Sequence, residues 1–317
     1  MSTNESERHG VAFIFPGQGA QAVGMGADLY ESSQAARSVF KKVDEALGRK
    51  LSKVLFEGPE EELRETKNAQ PGIFAVSMAC MAALEENLDK AEMPAPMMTA
   101  GHSLGEYTAL VASGVVNIME GALLVERRGE LMQEACDTNP GTMAAVLGME
   151  EELLSSIASD SGAYISNVNT GDQIVISGSI ESVERAMELA SEKGAKRVIP
   201  LKVGGAFHSG LMQPAQSGLV EALEKANFNK AAIPIVANCT GQTIVTVDEV
   251  RQELSDQIVG CVQWKKSIEL MLSSGVANFY EIGPGRALSG MVKKIDRSVT
   301  VHSISDMESI EALVSKN

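Results

Sequence analysis

In AGHSLGEY, residues 100–107, glycines stand two residues to either side of Ser103. The mostly apolar Met97–Ala100 precedes it, and Leu104, Ala109, Leu110 and Val111 give a helix-like start after it. This spacing predicts a strand that turns into a helix so sharply that a Cβ two residues before or after the serine would collide. An elbow of that kind commits the chain to an α/β architecture, and the remaining pattern keeps the same rhythm. VAFIF, residues 11–15, is a short apolar run closed by PGQG at 16–19, the pattern of a first core strand entering a tight loop. IPIV at 233–236 and the run 276–282 read as further strands, alternating with helical stretches at 209–226, 247–258 and 265–274. Residues 28–48 and 60–67 carry charge at helical spacing, while 71–88, with Ile73, Phe74, Val76, Met78, Met81 and Leu84, predicts a buried helix.

Between residues 141 and 203 the pattern changes. Strands are expected at 141–148, 163–168, 173–177 and 196–203, and helices at 150–160 and 181–193. That order, β-α-β-β-α-β, is the split-βαβ or ferredoxin-like unit. Val183, Ala186, Met187 and Ala190 fall at i, i+3, i+4 and i+7, so one helical stripe can cover a small sheet. The domains predicted are a discontinuous large one, 1–137 with 204–317, and an inserted subdomain, 138–203.

With 317 residues, 44% of them hydrophobic, the chain can build a sizeable core. Residues 1–8 are polar with no apolar stretch behind them, and no run of about 18 apolar residues occurs, so neither a signal peptide nor a membrane span is expected and the chain reads as cytoplasmic. Cys80, Cys136, Cys239 and Cys261 lie far apart with no C-x-x-C pair, a pattern of buried small side chains rather than a metal site. The net charge of −15 is spread along the chain and disfavours nucleic acid or anionic membrane as partners.

A G-x-S-x-G match alone is weak, since 29 glycines in this length give on the order of 0.1 to 0.2 such hits by chance. A nucleophilic serine also needs a base. Of the four histidines, His9 lies in the polar tail, His102 abuts Ser103 and points elsewhere at a sharp elbow, and His302 sits in an apolar alternation. His208, in VGGAFHS at 203–209, follows two glycines in a loop able to present it to a distant nucleophile; a surface histidine would look the same. The N–H of Leu104 is one donor for an oxyanion, with a second expected from the PGQG loop. GQGAQA at 17–22 also fits a relaxed dinucleotide-loop pattern, but no second strand ending in an acid follows, and no Gly-Lys-Ser/Thr makes it a Walker loop.

The motifs together resemble the malonyl-CoA:acyl carrier protein transacylases of fatty acid synthesis, over residues 11 to 295. The blocks are FPGQGAQ from Phe15, GHSLGEY from Gly101, VERRG from Val125, NVN from Asn167, AFHS from Ala206, VQW from Val262 and EIGPG from Glu281. The resemblance implies an α/β-hydrolase-like large domain interrupted by the ferredoxin-like subdomain. It implies Ser103 as nucleophile, His208 as base, the main-chain carbonyl of Gln263 orienting the imidazole, the N–H groups of Gln18 and Leu104 as oxyanion hole, and Arg128 binding the malonyl carboxylate. Helical spacing leaves Arg127 and Arg128 open; the block match selects Arg128. Asn167 and Asn169 fall at a polar pair beside the cleft, and the AFHS block favours malonyl over methylmalonyl. Malonyl-CoA and acyl carrier protein are the implied partners, no metal or redox cofactor is implied, and a monomer is the family expectation. Because the carrier is acidic in family terms, a local basic rim is expected from Lys196, Arg197, Lys202, Arg286, Lys293 and Lys294. The rivals are an editing acyl hydrolase on the same core, a polyketide-pathway acyltransferase, and a non-catalytic docking module.

Overall fold

The computed structural model describes residues 9–89 and 92–315; the polar tail at 1–8 lies outside them. Two sheets organise the chain. The larger has six strands: β1 (Gly10–Phe15), β2 (Met98–Gly101), β7 (Ile235–Val236), β8 (Thr243–Ile244), β9 (Val276–Ile282) and β10 (Thr300–Ile304). Their order is β10-β9-β1-β2-β7-β8, parallel throughout except for the terminal β7–β8 hairpin. The smaller sheet holds β3 (Thr142–Leu147), β4 (Tyr164–Thr170), β5 (Gln173–Gly178) and β6 (Arg197–Pro200), antiparallel in the order β4-β5-β3-β6. Helices Glu151–Ser161 and Ile180–Glu192 cover it, burying Leu154, Ile157, Val183, Ala186 and Ala190 against Ala144, Val146 and Ile176. This is the ferredoxin-like order, set into an α/β-hydrolase-like parallel sheet.

Parallel strands need helical crossovers on both faces, and the apolar runs supply the burial: Ala12, Phe13, Ile14 and Phe15 are all at most 2% exposed. One face packs helices Thr66–Asn87 and Ile118–Thr138, the other helix Trp264–Ser273. Helix Thr66–Asn87 begins five residues ahead of Pro71, earlier than the sequence pattern suggests. Pro71 has no N–H to offer the Lys67 carbonyl one turn back, and Arg49 takes that carbonyl instead at 3.1 Å, so the turn survives. The region 28–48 divides into Ala27–Ser32 and Gln34–Leu47 at Ser33, whose side chain accepts the Ala36 N–H. The strand expected to reach residue 203 stops at Pro200, on the sheet's edge, and the chain from Leu201 to Ser209 runs irregularly back toward the large sheet.

The carboxyl ends of β1, β2 and β7 lie side by side and open into the Pro16–Gly19 loop, the Ser103 turn and Asn238. In an open parallel sheet that edge is where ligands bind. β4 reaches the same place from the other sheet: Val168 N–H donates to the Val262 carbonyl at 2.9 Å, and Val262 N–H to the Ser166 carbonyl at 2.8 Å.

Candidate active site

Ser103 sits between β2 and helix Gly105–Ala112 with φ 53°, the left-handed conformation that costs a side-chain-bearing residue on the order of 1–3 kcal/mol. The flanking glycines make the turn possible. A Cβ on Gly101 would overlap the backbone of Gly105, and one on Gly105 would overlap the Phe15 carbonyl. Among the described residues, His208, φ 55°, is the one other non-glycine residue with positive φ. These two strained residues meet: Ser103 Oγ lies 2.8 Å from His208 Nε2.

The tautomer of His208 follows from its other nitrogen. Nδ1 faces two carbonyl oxygens, Gln257 at 2.8 Å and Gly260 at 3.1 Å, and carbonyls only accept, so the proton resides on Nδ1 and Nε2 accepts from the serine hydroxyl. The expectation for Gln263 is corrected here. His208 Nδ1 bonds the Gln257 and Gly260 carbonyls and not that of Gln263, which as the first acceptor of helix Trp264–Ser273 takes the Ser267 N–H at 3.0 Å and the Ser267 hydroxyl at 3.2 Å. Gln257 instead ends helix Val247–Gln257, where the last carbonyls lack intrahelical partners and carry the negative end of the dipole. Burial, then the nearby Arg128 charge, push His208 down to about 3.

Arg128, on helix Ile118–Thr138, is 1% exposed. Its Nη2 donates to Ser103 Oγ at 3.0 Å and to Gln257 Oε1 at 2.9 Å, and its Nη1 to Gln70 Oε1 at 2.6 Å. The guanidinium lies over the Tyr107 ring at 5.5 Å. Among the described residues no carboxylate forms an ion pair with it, and its Nε has no acceptor. A buried cation surrounded by neutral amides is an incomplete pair, open to an anion arriving from the cleft. Arg127, by contrast, points outward to Glu130 at 3.0 Å.

The cleft, about 200 Å³, is lined by Gln18, His102, Ser103, Asn167, Asn169 and His208 on its polar parts and by Met132, Met143, Val175, Leu201, Val203, Phe207 and Met291 elsewhere. The main-chain N–H groups of Gln18 and Leu104 enter none of the hydrogen bonds found among the described residues. His102 turns away from Ser103, its Nε2 2.9 Å from Asn169 Oδ1 and its ring 5.5 Å from that of Trp264. The six basic residues expected at a rim are all exposed. Lys196 pairs with Asp172 at 3.4 Å; Arg197, Lys202, Arg286, Lys293 and Lys294 form no ion pair among the described residues, Lys293 donating instead to the Arg297 and Val299 carbonyls. Among those residues no group of three or more His, Cys, Asp or Glu is gathered to hold a metal ion, and no helix is long and apolar enough to cross a membrane.

Sequence reasoning missed Gln257, Gln70 and Asn238. Each is a neutral amide inside a helix or a loop with no motif of its own. Glu106, beneath the elbow, was visible only as a letter of GHSLGEY.

Residues 12–315 match the acyl transferase domain family. A malonyl CoA-acyl carrier protein transacylase from Bacillus subtilis is 42% identical over 96% of both chains. An acyl-carrier-protein S-malonyltransferase from Bartonella henselae has a crystal structure that superposes with a TM-score of 0.92 at 40% identity, over 97% of this chain and 99% of the other. A malonyl-transacylase solved in complex with its holo type II PKS acyl-carrier protein gives a TM-score of 0.92 at 35% identity, covering 98% of this chain and 100% of that one.

Proposed function

From its place in the acyl transferase domain family, to which this chain belongs, we infer that it moves the malonyl group of malonyl-CoA onto the phosphopantetheine thiol of acyl carrier protein, supplying units for fatty acid elongation. One observation carries the assignment of residues: a single oxygen, Ser103 Oγ, is shared by a neutral imidazole at 2.8 Å and a buried guanidinium at 3.0 Å. A base and an anion receptor converging on one hydroxyl suit an acyl group that bears a free carboxylate.

In this reading Ser103 Oγ attacks the thioester carbonyl while its proton passes to His208 Nε2. The imidazolium keeps its Nδ1–H on the Gln257 and Gly260 carbonyls. The N–H groups of Gln18 and Leu104 hold the tetrahedral oxyanion. Collapse breaks the carbon–sulfur bond and CoA leaves as a thiol with the proton from His208. The carrier thiol then gives a proton back to Nε2, attacks the serine ester and departs acylated, and the hydroxyl is restored. Each proton and electron pair is accounted for by one serine, one histidine and two thiols, so the steps call for no metal or redox cofactor.

Arg128 places the malonyl carboxylate, where charge-assisted hydrogen bonds contribute roughly 1.5–3 kcal/mol each and distinguish malonyl from acetyl. Asn167 and Asn169 form the polar pair on the facing wall of the cleft. The carrier docks on Arg197, Lys202, Arg286 and Lys294, with Lys196 and Lys293 at the margins, a local attraction that a chain at −15 needs. The large domain is 1–137 with 204–317, the subdomain 138–203, and the location cytoplasmic. The test is intact-protein and peptide mass spectrometry after mixing with malonyl-CoA: a malonyl adduct on Ser103, discharged by holo carrier protein, supports the scheme. Full activity with an adduct elsewhere ends it.

A further inference from the structure

The backbone of the Ser103 elbow hangs on two side-chain amides, and the direction of both is set by one buried carboxylate. Glu106 is 0% exposed. Its Oε1 accepts the main-chain N–H of Asn238 at 2.9 Å and the Asn238 Nδ2 at 3.0 Å; its Oε2 accepts Gln257 Nε2 at 2.7 Å. Asn238 thereby turns its Oδ1 to the Ser103 N–H at 2.7 Å, with Nδ2 also on the Gly101 carbonyl at 2.7 Å. Gln257 turns its Nε2 to the Ser103 carbonyl at 2.8 Å and its Oε1 to Arg128 Nη2 at 2.9 Å. An amide has one donor end and one acceptor end, so whatever fixes the donor end fixes the other. Burial, then the neighbouring Glu253 carboxylate, push the Glu106 carboxyl well above its ordinary value, against the partial pull of the N–H donors that surround both oxygens.

We propose that Glu106 is a positioning residue: by accepting on both oxygens it sets the polarity of Asn238 and Gln257, which clamp Ser103 in its left-handed turn and present Arg128 to the substrate carboxylate. The proposal rests on the roles of Ser103 and Arg128 given above. Glu106 forms no ion pair with Arg128; it reaches the guanidinium only through Gln257, whose Nε2 it holds and whose Oε1 accepts from Nη2.

Glu106→Gln keeps the shape and removes one acceptor. Its new NH2 must face either the two N–H groups of Asn238 or Nε2 of Gln257, and if Gln257 turns over to accept, its own NH2 meets the guanidinium. The experiment compares two reactions of Ser103, malonyl transfer from malonyl-CoA and phosphonylation by an uncharged fluorophosphonate, in the wild type, Glu106→Gln and Glu106→Asp, with thermal melts on all three. For Glu106→Gln, kcat/KM for malonyl-CoA should fall at least about 100-fold, chiefly through KM, and phosphonylation only roughly tenfold. Glu106→Asp, which keeps two acceptor oxygens one methylene further back, should recover part of the malonyl loss. Equal losses in both reactions, no loss in either, or variants that do not fold would assign Glu106 to stability alone and overturn the proposal. A wild type that forms no malonyl adduct on Ser103 would instead bring down the functional reading itself, a result visible without either variant.

Discussion

The two walls of the cleft are built differently. The wall from the six-stranded sheet and its helices carries Gln18 and Ser103, the serine held in a strained turn by several hydrogen bonds, with Arg128 buried behind it and donating to its Oγ. The wall from the four-stranded sheet offers Met143 and Val175, with Asn167 and Asn169 as its polar groups. Where the backbone must be held against its own preference, glycines and amides crowd in; where a surface only has to exclude water, apolar side chains of adaptable shape suffice. The lesson is that the strained, heavily hydrogen-bonded groups gather on the large-sheet side while the small sheet adds enclosure, the two joined by the Ser166–Val168 contact with Val262.

That division can be broken by substitution. Ser103→Ala on the reactive wall should lower kcat by on the order of 10⁴ to 10⁶ and abolish the malonyl adduct, read by a transfer assay and mass spectrometry. Arg128→Lys, which keeps a charge but loses the fork, should cost about 3–4 kcal/mol, a 10²–10³-fold drop in kcat/KM for malonyl-CoA, with acetyl-CoA affected far less. Met143→Ala on the enclosing wall should cost less than about tenfold in kcat/KM while lowering Tm, since a buried methionine is truncated there. A loss as deep as that of Arg128→Lys would show that the two walls share the chemistry.

The smallest expected change sharpens the comparison through pH. Because burial and Arg128 hold His208 well below its ordinary value, at about 3, the neutral base persists as pH falls through 6.5. The kcat/KM profile for malonyl-CoA should therefore show no protonation step near 6.5, varying less than about twofold between pH 7.5 and 5.5. The unfolded chain does take that proton near its ordinary value, so the same residue withdraws stability from the native state between pH 6.5 and 3. A step at 6.5 would mean that His208 is less enclosed than its surroundings indicate.

What could be read from the sequence was what short-range sterics write into it. Gly101 and Gly105 declare the elbow because each is forced by a backbone within a few residues or on the adjacent strand, and the 2- and 3.6-residue periodicities declare both sheets and most helices. Arg128 was fixed by its block rather than by spacing, and its burial was not legible at all. Gln257 escapes because its role depends on where a helix happens to end, 49 residues from His208, whereas Gln263 is suggested by its place inside the recognisable VQW block. Asn238, 135 residues from Ser103, left no local trace either. Pro71 misled for a physical reason, since a proline normally closes a helix unless another donor reaches the orphaned carbonyl, as Arg49 does.

Serine enzymes of the hydrolytic type set a carboxylate behind the histidine; here two peptide oxygens stand in that position. A helix end offers about half an elementary charge, less than the full charge of an acid, so the imidazole is a modest proton acceptor. Such a base suits an incoming group that surrenders its proton readily, a thiol with a pKa near 8.5, and serves water, near 15.7, poorly. In the proposed scheme the acyl-enzyme outlasts its encounter with solvent and discharges when sulfur arrives, so the choice between transfer and hydrolysis would be written into the acidity of the acceptor.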